Sequence, residues 1–188
     1  MKRSVSVLLA LSVWVSAAMG GPLEDGVAAY ERQDYAAAFK LFKRLADQGD
    51  ASAQTSLGFM YSNGRGAPKD EQQAVLWYRK AADQGHAGAQ VELGTMYAKG
   101  QGVPKDDQQA VAWYRKAADQ GNATAQYNLG GRYDNGRGVP KDDQQAYFWW
   151  LLASAAGAAN ATHNRDIVEK RLLPTQRAAT QAAARDWK

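Results

Sequence analysis

Few residues in this chain have the types and spacing that chemistry requires. The two histidines, His86 and His163, lie far apart in sequence, and neither has a neighbour at metal-ligand spacing. His86 falls just before a helix, so a capping or surface role is expected of it. There is no cysteine, which excludes disulfides, thiolate metal sites and thiol nucleophiles. No Ser-x-x-Lys occurs, so a serine nucleophile with its lysine is missing. No His-Glu-x-x-His occurs either. The acidic pairs Asp106-Asp107 and Asp142-Asp143 stand at predicted helix starts, where the helix dipole favours carboxylates without any catalytic duty. Gly64-Arg65-Gly66 looks like a phosphate loop, but no strand precedes it and no Gly-Lys-Ser/Thr follows. Arg65, Lys69, Lys105, Arg137 and Lys141 suggest a cationic edge, yet an Asp after each Lys largely cancels it. Asn122-Ala-Thr124 and Asn160-Ala-Thr162 fit the glycosylation pattern, which is short enough to arise by chance. The expectation is a protein without catalytic residues, metal or cofactor.

The chemistry-poor positions belong to a repeat. Gln72–Gly85 reads QQAVLWYRKAADQG, and Gln108–Gly121, 36 residues on, differs from it only at Ala112. The same period relates Ala74, Ala110 and Ala146, and likewise Trp77, Trp113 and Trp149. It also relates Tyr61, Tyr97 and Tyr133, and each of Pro68, Pro104 and Pro140 with its Lys-Asp. Self-similarity at this length is the signature of a solenoid. Each repeat predicts two helices. The second begins at a capping Asp such as Asp106, carries Ala110, Trp113, Tyr114, Ala117 and Ala118 on one face, and stops at Gly121. The first runs from about Ala123 to Asp134, with Ala125, Leu129 and Tyr133 buried. Gly58, Gly94 and Gly130 sit inside these first helices at a cost of about 1 kcal/mol each relative to Ala. Their recurrence predicts that a Trp or Tyr ring of a neighbouring helix occupies the missing side chain's place. Arg79-Lys80 and Arg115-Lys116 are expected to begin the outward side, with their stems partly packed.

Residues 1–20 read as a cleavable secretory leader: Lys2 and Arg3, an apolar run from Val5 to Ala18, then small residues. Cleavage is expected after Gly20 or Ala18, giving a periplasmic or secreted protein with no remaining membrane anchor. Lys2 and Arg3 also supply half of the net charge of +4. The balance left is too weak to argue for nucleic acid or an anionic membrane as partner. The expected organisation is residues 21–49 as an N-terminal capping helix pair of plain tetratricopeptide type, then three repeats at 50–85, 86–121 and 122–157, then closing helices over 158–188. The third repeat's second helix, YFWWLLASAAG, is apolar nearly all round and must be covered. Helices from Asn160 to Leu173 and from Pro174 to Trp187 are expected to cover it, anchored by Leu172, Leu173 and Trp187.

These motifs resemble the Sel-1-like repeat, a relative of the tetratricopeptide repeat. The residues that carry the resemblance are Ala53, Leu57, Gly58 and Tyr61, then Gly64, Gly66 and Asp70, then Ala74, Trp77, Tyr78, Ala81, Ala82 and Gly85. The pattern recurs twice more, over Asp50 to Gly157, with Ala67 departing from a Val and Trp150 from a Tyr. The resemblance implies an all-α, right-handed superhelical solenoid of antiparallel helix pairs, with a concave face lined by first helices. It also implies an adaptor role. Bacterial relatives hold envelope complexes together or restrain signalling receptors, and a Cys-rich branch is described as binding or hydrolysing β-lactams. This chain lacks that branch's cysteines.

Positions that vary among the repeats, on the side of the first helix away from Ala53, Leu57 and Tyr61, are free to recognise a partner. Phe59, Met60, Met96, Tyr127, Asn128 and Arg132 are therefore expected to line a concave binding face, being of types that carry interface energy well. The expected function is a non-enzymatic scaffold, adaptor or regulator of the bacterial envelope that binds another protein. A glycan- or peptidoglycan-binding module is the first alternative, and a β-lactam hydrolase the second.

Overall fold

The computed structural model describes residues 21–187, so the predicted leader lies outside the described residues. The described chain is a row of helix pairs: α1 (Pro22–Glu31) with α2 (Tyr35–Asp47), α3 (Ala51–Asn63) with α4 (Glu71–Asp83), and α5 (Ala87–Lys99) with α6 (Asp107–Ala118). These are followed by α7 (Ala123–Asn135) with α8 (Asp143–Ala155), and by α9 (Ala159–Glu169) and α10 (Pro174–Asp186). The repeats start and stop their helices with the same local chemistry. The Asp70 carboxylate accepts from the N–H groups of Gln72 and Gln73 at 3.0 and 2.9 Å, and Asp106 accepts from those of Gln108 and Gln109, both at 2.9 Å. First helices are capped by Asp50, His86 and Asn122, whose side chains accept from backbone N–H groups three residues on. His86 is thus a cap, through Nδ1. Gly64, Gly100 and Gly136 end the first helices in the left-handed region, where glycine bears no Cβ penalty.

Each first helix lies between two second helices, that of its own repeat and that of the repeat before. The helical glycines make the first of these contacts close. A Cβ on Gly58 would sit 2.8 Å from the Tyr78 ring, one on Gly94 2.8 Å from Tyr114, and one on Gly130 2.6 Å from Trp150. The rings therefore fill the missing side chains' places, as the recurrence predicts. The N-terminal pair uses the same device, with Gly26 against Phe42.

Polar side chains tie successive repeats together. Buried Gln54, Gln90 and Gln126 each donate back to a carbonyl of the preceding repeat, at Ala46, Ala82 and Ala118. Two of them also receive a bond, since Gln84 and Gln120 donate Nε2 to the Oε1 of Gln54 and Gln90, each at 2.8 Å. At the corresponding place in the last repeat stands Ala156, and the buried Oε1 of Gln126 has no protein partner. Ala156→Gln supplies the missing donor at an exposed helix end. It is expected to raise stability by about 0.5–1.5 kcal/mol, or roughly 2–4 °C in Tm per kcal/mol, in a thermal melt. The paired cations divide their work. Lys80 and Lys116 lie outside over the rings of Trp77 and Trp113, at 4.0 and 3.9 Å from the centroids. Arg79 and Arg115 are half-buried and donate to the hydroxyls of Tyr97 and Tyr133 in the next repeat. The outward expectation therefore holds for the lysines, while the arginines bridge repeats.

The closing helices cover α8. Tyr147, Trp149 and Trp150 are at most 4% exposed, and Ala161, Val168 and Leu172 pack against Tyr147 and Trp150. Trp187 meets Phe148 and Trp149 edge-on, both at 5.4 Å between centroids, and Gln181 donates to the Tyr147 hydroxyl at 2.9 Å. Two expectations need correction. The helix expected to reach Leu173 ends at Glu169 in a turn, with Arg171 and Leu172 bonding back to Val168 and Glu169, and Pro174 holds Leu173 itself in extended backbone (φ −65°, ψ 152°). Leu173 is 63% exposed and anchors nothing; it holds the cap position of α10, its N–H donating to Gln176 Oε1 at 2.9 Å.

Candidate functional site

The first helices leave an open row at equivalent positions of successive helix pairs: Val27 on α1, Phe59 on α3, Thr95 on α5 and Gly131 on α7. Beside it runs a second row, Glu24, Ser56, Glu92 and Asn128. The rows grade from apolar and charged to polar along the chain, so they make two different hollows.

The N-terminal hollow, of about 330 Å³, spans α1, α3 and α5 and is floored by Phe42, Met60 and Tyr78. Val27 and Phe59 project at its mouth, 44% and 42% exposed, and the Phe59 ring meets Tyr30 edge-on at 6.1 Å. Gly88 keeps it open where the neighbouring repeats have Ser52 and Thr124. Glu92, one turn beyond Gly88, is the sole charged side chain among the described residues that line it. Partial burial in the groove holds the Glu92 carboxyl above the usual carboxylate range, with Lys99 pulling the other way. The Tyr78 hydroxyl is raised too, by burial first and by the nearby Glu92 charge second.

The C-terminal hollow, of about 390 Å³, lies where α7, α8 and α9 meet. Its wall is polar: Tyr127, Asn128, Asn135, Asn164, Arg132 and Arg171. Most of these groups already have partners within the protein. Asn164 donates to the Tyr127 hydroxyl at 3.3 Å, and Trp150 donates Nε1 to the Tyr127 carbonyl at 3.1 Å. Arg132 pairs with Asp107 at 2.5 Å and lies 5.7 Å above the Tyr114 ring centroid. Arg171 reaches Asp134 at 2.5 Å and Asp143 at 3.4 Å, which raises its pKa further.

The six predicted face residues are therefore divided. Phe59 lies in the N-terminal hollow, and Tyr127, Asn128 and Arg132 line the C-terminal one. Met60 and Met96 do not lie on an open face, being 0% and 5% exposed. A first helix packed between two second helices buries a wider arc than the Ala53–Leu57–Tyr61 stripe. Position 60 turns toward the preceding repeat, where Met60 joins Phe42 and Ala38, and Met96 joins Ala74 and Tyr78 in the same way. At the third repeat the same place holds Arg132, and its inward turn explains the Asp107 pair. Sequence reasoning missed Val27, Tyr30 and Glu92. Val27 lies 32 residues before Phe59, not 36, because the first interhelix link is four residues shorter, so the register of the repeat conceals the match. Glu92 was visible as the charged member of a row otherwise holding Ser56 and Asn128.

Among the described residues there is no cluster of His, Asp and Glu able to hold a metal ion, and no helix long and apolar enough to cross a membrane.

Comparison with known proteins places the architecture. A family model described as the Sel1 repeat matches residues 17–50, 51–86, 87–122 and 123–157. The crystal structure of a Sel1 repeat protein from Oxalobacter formigenes is similar at a TM-score of 0.74 and 34% identity, over 79% of this chain and 59% of that one. A protective antigen of uropathogenic Escherichia coli strains, displaying an SLR fold, is similar at 0.75 and 35% identity, over 88% of this chain and 40% of that one. Cysteine-rich protein B of Helicobacter pylori, at 0.53 and 22% identity, over 77% of this chain and 97% of that one, shares the fold. Among curated proteins, DAP3-binding cell death enhancer 1 of Rattus norvegicus is 46% identical over 43 residues, 23% of this chain and 8% of that protein. The chain thus spans less than two thirds of the Oxalobacter formigenes, Escherichia coli and Rattus norvegicus relatives. With four matched stretches covering most of its length, the chain belongs to the Sel1 repeat family, whose α-solenoid is generally a scaffold for protein–protein interaction.

Proposed function

We propose that this protein is a non-enzymatic scaffold, adaptor or regulator of the bacterial envelope, and that it holds a protein partner on the face formed by its first helices. The observation that carries the reading is the N-terminal hollow. Two large apolar side chains, Val27 and Phe59, stand exposed at the mouth of an aromatic-floored groove across three repeats, an arrangement of the kind that anchors interfaces. The leader-like residues 1–20 support the envelope as the setting, and the similarity to solved bacterial proteins supports a bacterial one.

The test is retention from an envelope extract of the native host by immobilised protein beginning at Gly21. A Val27→Ser/Phe59→Ala variant runs beside it. A protein held at near-equal stoichiometry by the wild type, and at least about tenfold less by the variant, is the expected result. Equal retention by both would remove the groove from the reading, and no retained protein at all would overturn the scaffold role.

The polar hollow favours a second reading, a glycan or peptidoglycan partner, because it joins the Tyr127 ring to the amides of Asn128, Asn135 and Asn164. Co-sedimentation with purified peptidoglycan, abolished by Tyr127→Ala, is what that reading requires.

A further inference from the structure

We infer that the N-terminal hollow takes a segment of the partner protein in which a bulky apolar side chain is followed closely by a lysine or arginine, the apolar group entering between Val27 and Phe59 and the cation meeting Glu92. This inference rests on the protein-binding reading above and specifies its chemistry.

Three observations carry it. The groove is of a size for one or two large side chains, and its walls at Val27, Tyr30, Phe59 and Tyr78 are apolar or aromatic. The single carboxylate in that lining, Glu92, has no ion-pair partner within 4 Å among the described residues. The other acid nearby, Glu71, lines the adjoining hollow and is already paired with Lys69 at 2.8 Å. Glu92 is therefore the charge left open inside the groove, and Glu24, exposed on α1 in the same row, adds a second carboxylate outside its lining.

The physical consequence is selectivity. Any occupant of the groove removes further water from Glu92. A neutral or acidic segment would leave that carboxylate buried without compensation, which is costly, whereas a cation supplies the counter-charge at the moment of burial. The aromatic walls favour the same occupant, since a guanidinium or ammonium is attracted to ring faces as well. The raised pKa of Glu92 is what such a half-dehydrated, unpaired carboxylate shows. The two contacts also discriminate between segments, because each by itself is weak and only a sequence with both at the right spacing satisfies the groove.

A displayed library of random twelve-residue peptides, selected on the chain beginning at Gly21, tests this directly. Enriched peptides should carry an aromatic or branched apolar residue within about three positions of a Lys or Arg. A synthetic peptide from the enriched set should bind Glu92→Gln roughly tenfold more weakly and Glu92→Lys about a hundredfold more weakly than wild type, in a fluorescence anisotropy titration. The same peptide with its cation changed to Glu should recover binding to Glu92→Lys. Glu92 reaches solvent at the groove mouth and has no ion-pair partner among the described residues, so both variants should keep the wild-type melting temperature, which a circular-dichroism melt checks. Enriched peptides without cations, or affinities unchanged in Glu92→Gln, would overturn the inference. So would a library with no enrichment. If the immobilised protein still retains a host protein in a Val27- and Phe59-dependent way, the scaffold role survives that failure. If it retains nothing, both readings fall together.

Discussion

Gly102→Ala should be among the most damaging single substitutions in the chain, at more than about 3 kcal/mol in urea unfolding, although it adds one methyl group to a surface loop. Gly102 has φ +66°, a conformation that costs an L-residue roughly 1–2 kcal/mol. Most of the loss comes from the neighbouring backbone. A Cβ there would lie 2.5 Å from the carbonyl carbon of Glu71, and nearer still to its oxygen. Glu71 is the first residue of α4, so the obstacle is helix backbone, which cannot rotate away as a side chain can. Glu71 also feels the same loop: after Lys69, the nearby Gly102 backbone N–H and the Gln101 side chain help keep its carboxyl below the usual range. The loop of one repeat is therefore seated on the start of the preceding repeat's second helix. Gly66 and Gly138 press on Tyr35 and Asp107 in the same way. Gly121→Ala is the matched control. Its φ is +82°, but nothing lies within 4 Å of the added Cβ, so only the backbone cost of about 1 kcal/mol remains. Equal losses in the two variants would mean that the close approach contributes nothing. In a solenoid, stability is nearly the sum of what each repeat and each repeat–repeat interface contributes. Gly102→Ala should thus also separate unfolding into two steps, with the α1–α4 and α5–α10 portions no longer melting together.

That contrast shows where the sequence was readable and where it was not. The recurrence of Gly58, Gly94 and Gly130 inside helices announced a ring packed against each, because glycine in a helix interior has a cost that needs a return. Tyr78, Tyr114 and Trp150 are those rings. Capping residues announced the helix starts, since a carboxylate or amide at the N-cap satisfies N–H groups that nothing else can reach. The loop glycines announced positive φ. They did not announce the Glu71 or Asp107 backbone facing them, which belongs to another repeat and depends on how tightly the repeats stack. The same limit explains the binding face. A single-helix reading assigns one buried stripe, so Met60 and Met96 were placed outside it. The stack buries a second stripe against the preceding repeat, and only Phe59 and the open rows beside it remain accessible. Tyr127 and Asn128 stay accessible because they line the polar hollow where α7, α8 and α9 meet, while Arg132 turns toward the preceding repeat as Met60 and Met96 do and pairs there with Asp107. Which positions recognise a partner is therefore decided by repeat stacking more than by residue type.

Trp149→Ala should cost about 3–5 kcal/mol and should release the closing helix as well as weaken the core. Trp149 is 1% exposed, so truncation leaves a cavity the size of an indole in a helix that α9 and α10 both cover. Its neighbours come from three parts of the chain. Arg115 of the second repeat lies 5.0 Å above its ring centroid, Phe148 meets it edge-on at 5.0 Å, and Trp187 at the end of α10 meets it edge-on at 5.4 Å. The ring also packs with Val111, Tyr114 and Leu129. Losing it removes half of the aromatic surface on which Trp187 rests, leaving α10 held by Phe148, the Gln181 to Tyr147 hydrogen bond, the burial of Thr180 and the Arg177–Glu169 pair. Trp187→Ala separates the two effects. Trp187 is 39% exposed, so its truncation should cost no more than about 1–2 kcal/mol while still freeing α10. Amide hydrogen exchange reads both: protection in α10 should fall in either variant, and protection in α6 and α7 in Trp149→Ala alone. If α10 stayed as protected in Trp149→Ala as in the wild type, the aromatic cluster would not be what closes the solenoid. The Gln181–Tyr147 bond, the burial of Thr180, the Phe148–Trp187 contact and the Arg177–Glu169 pair would then have to hold the helix without Trp149.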